Sequence, residues 1–179
     1  MTSGHEGRAP SSPRAGLARW RVPLGFAAAL LVLWLARPTP HTLRIGLPIA
    51  VLGQLLRIWA AGHLEKSREV TSSGPYRFTR HPLYLGSSVM GAGLAVAANH
   101  WAVAVLILGY LVTTLRIAIR TEEAYLRATF GDAYDRYAVG TLPTVSRRFS
   151  LERVWRNKEY RAPIGLVLLG VFLFWRASS

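Results

Sequence analysis

Two short polar segments of this chain carry residues whose types and spacing could hold charged groups. The first is Gly74-Pro-Tyr-Arg-Phe-Thr-Arg-His-Pro-Leu-Tyr-Leu-Gly86. Gly74-Pro75 reads as a turn, and His81, standing before a proline, is biased towards extended backbone. Pro82 suits the first position of a helix. The amides of Leu83 and Tyr84 would then be free at a helix N-terminus, which favours an anionic group. Tyr76 and Tyr84 add aromatic faces suited to a ring or a cation. The second segment is Arg116-Ile-Ala-Ile-Arg-Thr-Glu-Glu-Ala-Tyr-Leu126. In a continuous helix Arg116, Arg120 and Glu123 share one face, and Glu122 points about a third of a turn away. Taken singly, each segment also fits plain topology: an interfacial aromatic belt at a proline-started helix, and a solvated helix end with Arg–Glu pairs.

The elements that must position these residues are apolar. Of 179 residues, 51% are hydrophobic and 17% charged, with no cysteine, which excludes disulfides, thiolate nucleophiles and Cys-built metal sites. Five apolar stretches, Val22–Ala36, Leu43–Gly62, Pro82–Ala98, Trp101–Ile119 and Ala162–Trp175, are expected to cross a bilayer, for which about 20 residues are needed. The first and last are short and require flanking residues or local thinning. The expected fold is therefore all-α: a polytopic membrane protein of about five transmembrane helices with a short cytoplasmic amphipathic helix. With the N-terminus inside, segments 1–21, 63–81 and 120–161 hold 17 Lys and Arg, against 3 on the other side. That bias obeys the positive-inside rule and accounts for a net charge of +13 without nucleic acid.

Residues 1–21 read as a disordered cytoplasmic tail. Two transmembrane helices follow over 22–62, a cofactor-binding region with two more over 63–144, and a basic loop with a last helix over 145–179. Trp34 before a small-residue cut makes a retained anchor the better fit than a cleaved signal peptide. Gly91-Ala-Gly93 has a cofactor-like GxG spacing, but small residues at four-residue intervals in a membrane helix more often form a packing surface. Gln54 and Arg57 share a face near the inner end of the second stretch, where Arg57 can snorkel. Leu126, Phe130, Ala133, Tyr134 and Tyr137 recur at helical spacing around Gly131-Asp132, where Gly131 would end one helix and Asp132 cap the next. That amphipathic segment would lie along the membrane surface and roof a site.

Together the two polar segments resemble the isoprenylcysteine carboxyl methyltransferases and the related membrane phospholipid N-methyltransferases. The likeness rests on Gly74-Pro-Tyr76, Arg80-His-Pro-Leu-Tyr84, Gly86, Glu122-Glu123, Phe130-Gly-Asp-Ala-Tyr134 and Tyr137, and covers about residues 63–144. It implies an S-adenosylmethionine site on Val70, Thr71, Tyr76, His81, Pro82, Leu83, Tyr84 and Glu122, with Gly93 and Glu123 at positions the phospholipid enzymes use. The prenylcysteine enzymes carry an arginine four residues before the first glutamate. Here that position is Ala118, and Arg116 and Arg120 stand in reach instead.

The expected function is methyl transfer to a lipophilic acceptor, an isoprenylcysteine-like carboxylate or a lipid headgroup, with phospholipid N-methylation as an alternative. Arg120 or Arg116 would orient an anionic acceptor, and Glu123, or His81 in its place, would take the proton of an amine. Two other classes fit parts of the sequence: a non-catalytic membrane protein binding anionic lipid or a partner, and an NADPH-dependent sterol-type reductase.

Overall fold

The computed structural model describes residues 30–66 and 68–178. The chain divides into two units, residues 1–35 and 36–179. Of the first unit, residues 30–35 are helical. The expected tail and the start of the first apolar stretch lie outside the described residues. The second unit carries every candidate residue named above.

The described part of the second unit contains no strand. Its helices are α1 (Pro40–Ala61), a 3₁₀ turn (Gly74–Arg77), α2 (Pro82–Ala98), α3 (Trp101–Phe130), α4 (Asp132–Ala138), α5 (Leu151–Arg156) and α6 (Arg161–Ser178). Three of them, α1, α3 and α6, are long and apolar enough to cross a membrane, and α2 is a shorter apolar helix of 17 residues. This is an integral membrane protein.

Each boundary has a local cause. Pro40 opens α1 behind Thr39, whose hydroxyl accepts from the Thr42 amide while the Thr39 amide donates to the Thr42 hydroxyl. That reciprocal cap satisfies two otherwise orphaned donors. Pro82 opens α2, where its missing N–H costs nothing. The helix stops at Asn99, which takes a left-handed conformation (φ 49°). The α3 helix carries the apolar stretch Trp101–Ile119 and runs on unbroken to Phe130, ending at Gly131 as the helical spacing predicts. Thirty residues span about 45 Å, so the last ten or so project beyond a hydrocarbon layer of about 30 Å. Gly131 closes it at φ 48°, ψ −122°, a backbone region open almost solely to glycine. Here the expectation needs correction: Gly131 flanks both helices and Asp132 is the first residue of α4, not its cap. The basic stretch after residue 145 is likewise not wholly irregular, since it contains α5.

The packing order is α3 beside α2, α2 along α1, and α1 against α6. Glycines set the central crossing. A Cβ on Gly46, Gly53, Gly86 or Gly93 would stand 2.3–2.8 Å from backbone atoms of the facing helix, so α1 and α2 touch main chain to main chain, as small residues allow in membranes. The N–H of Arg37 to the carbonyl of Ala98, at 2.8 Å, closes one end of the pair. A third of the apolar window of α1 is buried within the protein, but only 6% of those of α3 and α6. The outer helices therefore offer most of their surface to lipid.

Candidate active site

The α1–α2 crossing and the extension of α3 bring the two polar segments together. His81 ends the loop at the mouth of α2, and its Nε2 lies 2.9 Å from Oε1 of Glu123. Arg80 approaches the same oxygen at 3.3 Å. One turn into α2, Tyr84 stacks on the His81 ring at 5.7 Å between centroids, and its hydroxyl faces Glu122. Tyr76, buried in the 3₁₀ turn, lies within electrostatic reach of Glu122.

The helix is continuous through Thr121, whose hydroxyl donates to the Ile117 carbonyl. The two glutamates therefore serve different sides of the site because successive helical residues lie about 100° apart. Glu123 meets the basic pair, and its hydrogen bond to His81, ahead of the charge on Arg80, holds its carboxyl below the usual range. Glu122 meets phenols. Among the described residues it has no cation within ion-pair distance.

The α4 helix roofs the site. The Tyr137 hydroxyl donates to the Tyr76 carbonyl at 2.8 Å. Tyr134 is fully buried, and its hydroxyl has no hydrogen-bond partner. Burial first, then the charge on Glu122, raises the Tyr76 phenol; burial and Glu123 raise Tyr134; burial and Tyr134 push Tyr137 up to about 12. All three remain neutral O–H donors at physiological pH. The phenols around the carboxylates are thus hydrogen-bond donors and not bases.

The other expected site residues fall in three places. Val70 and Thr71 are buried in the approach loop, where the Thr71 hydroxyl accepts from the Glu65 amide at 3.1 Å. Pro82 is buried and Leu83 half-buried at the start of α2. The amide expected to be free at Tyr84 is not: it donates to the His81 carbonyl at 3.1 Å. Gly93 lies about 16 Å along α2 from Pro82, pressed against Ala50 and Gly46. Its partner in the GxG spacing, Gly91, faces Leu111 of α3 instead. Arg116 and Arg120 are exposed on α3.

Two features were missed. Arg57 is paired with Glu159, Nε to Oε1 at 2.7 Å and Nη2 to Oε2 at 3.1 Å, while Nη1 donates to the Ser87 hydroxyl. Arg57 lies inside its apolar stretch, whose other charged residue, Arg44, stands at the very start, and the need for a counter-ion was the available signal. The other is an open cleft of about 480 Å³ behind the Gly74–Arg80 turn, lined in part by Tyr76, Phe78, Arg80, Tyr137 and Val139. Tyr76 and Arg80 are shared between the cleft and the carboxylate site.

A family model describing phospholipid methyltransferases matches residues 42–133, about half of the chain, including α2, α3 and nearly all of α1 but only the first two residues of α4. The chain belongs to the phospholipid methyltransferase family. A fission yeast (Schizosaccharomyces pombe) protein-S-isoprenylcysteine O-methyltransferase is 31% identical over 85 residues, 48% of this chain and 36% of that protein. Cobalt-zinc-cadmium resistance protein CzcN of Cupriavidus metallidurans is 32% identical over 142 residues, 75% of this chain and 64% of the relative. Nickel-cobalt-cadmium resistance protein NccN of Alcaligenes xylosoxydans xylosoxydans is 28% identical over 144 residues, with shares of 75% and 65%. The chain therefore spans just under two thirds of the two resistance proteins. No solved structure matches it. In this family member no group of three or more His, Asp or Glu side chains that could hold a metal occurs among the described residues.

Proposed function

We propose that this protein is an S-adenosylmethionine-dependent membrane methyltransferase acting at the cytoplasmic face on a lipophilic acceptor. The observation that carries the proposal is the meeting of Tyr76, His81 and Tyr84 with Glu122 and Glu123, some forty residues apart, in a chain of this family. The donor set fits such a cofactor. Glu122 is a carboxylate without a cation, and the Tyr134 hydroxyl and Ser73 Oγ are buried polar atoms without partners.

Bound S-adenosylmethionine would supply an electrophilic methyl group on a sulfonium. Glu122 would accept hydrogen bonds from its ammonium or ribose hydroxyls. Tyr76 and Tyr84 would flank it, and His81, Pro82 and Leu83 would line the helix mouth. Val70 and Thr71 would wall the approach loop, and Gly93 would act through the α1–α2 crossing that sets the pocket. Displacement at a methyl group needs alignment and desolvation more than covalent help, and positioning alone supplies on the order of 7–11 kcal/mol at best. Arg116 and Arg120, exposed where α3 leaves the hydrocarbon, would hold an anionic part of the acceptor. Glu123 is committed to His81 and Arg80 and is a weak base. For an acceptor that must lose a proton, the burden falls on the His81 ring, which Glu123 orients.

Five spans with the N-terminus inside would put the loop 63–81 and segment 120–161 together at the cytoplasmic boundary, a reading that the bias of basic residues supports. Incubating detergent-purified protein with methyl-labelled donor and host lipid extract tests the proposal. Label in a lipid-soluble product is expected, and its absence from every lipid fraction would contradict the assignment.

A further inference from the structure

Glu159 enters the molecule by a built route. After α5 the backbone turns through Lys158 at φ 57°, a left-handed conformation unusual for lysine. Amides on both sides of that residue's carbonyl are used: Lys158 donates to Trp155 and Glu159 to Val154. The preceding Asn157 donates from Nδ2 to the carbonyls of Ala61 and Leu64, capping the end of α1. The result is a carboxylate only 7% exposed at the head of a membrane-spanning helix. It takes two nitrogens of Arg57, and the third is held by Ser87, one turn along α2 from Tyr84. Glu159 falls outside the residues that match the family model.

We propose that Glu159 is a specificity-determining residue. It occupies, as a resident carboxylate, an anion site formed by Arg57 and Ser87 one turn along α2 from Tyr84, so that an amphiphile with an anionic reacting end is turned away. A planar guanidinium matches a carboxylate or a phosphate in the same bidentate manner, and Glu159 saturates it from within the chain. With that pair neutral, and Glu123 paired to Arg80 and His81, Glu122 is left as the uncompensated charge. Arg116 and Arg120 cannot replace the site, because they are exposed on another helix. A second observation points to a polar ligand there. Gln54, one turn before Arg57 on the same flank of α1, is 4% exposed with neither amide atom hydrogen-bonded. The role deepens the methyltransferase proposal by setting the charge of the acceptor, and it rests on that proposal only for its biological meaning.

The test needs no methyl donor, so its failure and that of the methyltransferase proposal are separable. Full-length protein in neutral maltoside micelles is titrated calorimetrically with dodecyl phosphate and, separately, with dodecanoate. Glu159→Gln is expected to bind either probe at least tenfold more tightly than the wild type. The double variant Arg57→Gln with Glu159→Gln is expected to return to wild-type affinity. Exposed arginines are common to all three proteins and cancel in the comparison. Should Glu159→Gln lose cooperative unfolding, Glu159→Asp, whose carboxylate is one methylene shorter, is expected to show a severalfold gain. A gain for one probe alone would identify which headgroup Arg57 accommodates and still support the site. Unchanged affinity in the single variants, or a gain that survives in the double variant, would overturn it.

Discussion

Glu122 and Glu123 adjoin in sequence, yet one faces phenols and the other a histidine and an arginine. The lowered carboxyl of Glu123 fixes the sign of a pH effect. A group depressed in the folded protein contributes stability above its ordinary value of 4.5, and loses it as the pH falls through the lower folded value. Thermal unfolding in detergent should therefore hold steady from neutrality to about pH 5 and then fall. Glu123→Gln should be less stable at neutrality by about 1 kcal/mol and show a shallower acid decline. Profiles of equal steepness would contradict this. The exposed arginines give a second prediction. Arg120→Ala should reduce acceptor turnover roughly tenfold, about 1.4 kcal/mol, with cofactor affinity unchanged, as read by single-substrate kinetics and calorimetry. At this scale the sequence disclosed the His81 and Glu122–Glu123 groups through their types and spacing. It did not disclose Glu159, because its partner Arg57 lies about a hundred residues away and no local pattern links them.

At the scale of elements, apolar runs and the placement of Pro82 located α2 to the residue and α1 to within three. The continuation of α3 beyond Ile119 was legible in the helical spacing up to Phe130, although charged residues there look like the end of a span. Yet leaving the hydrocarbon does not end a helix, and a glycine at positive φ does. The spacing of small residues already favoured a packing surface at Gly93, but its facing residues, Ala50 and Gly46, could not be read from sequence. Gly93→Val should push α1 from α2 and cost about 3 kcal/mol or more, beyond the usual range of overpacking, measured as a loss of thermal stability in detergent. Gly109→Ala, with nothing within 4 Å of the new methyl, should be neutral or gain up to about 1 kcal/mol. Equal effects of the two would refute a packing role for Gly93.

At the largest scale, the helices of the second unit, with lipid-facing flanks, carry their polar chemistry where the loop, the extension of α3 and the segment after α4 converge. The hydroxyl of Ser72, bonded to Pro143 and Val145, and Arg147, 2.7 Å from Glu69, fasten that convergence. Because the chain lacks cysteine, single substitutions report sidedness cleanly. Ser146→Cys should react with an impermeant maleimide only from the cytoplasmic side of oriented vesicles, and Asn99→Cys only from the other; the reverse pattern would invert the topology. The convergence itself is probed by calorimetric titration of the wild type and Glu122→Gln with S-adenosylhomocysteine. Saturable binding by the wild type and a loss of at least tenfold in the variant are expected. No heat at millimolar ligand, or equal affinity in both proteins, would contradict a nucleoside site between the two segments.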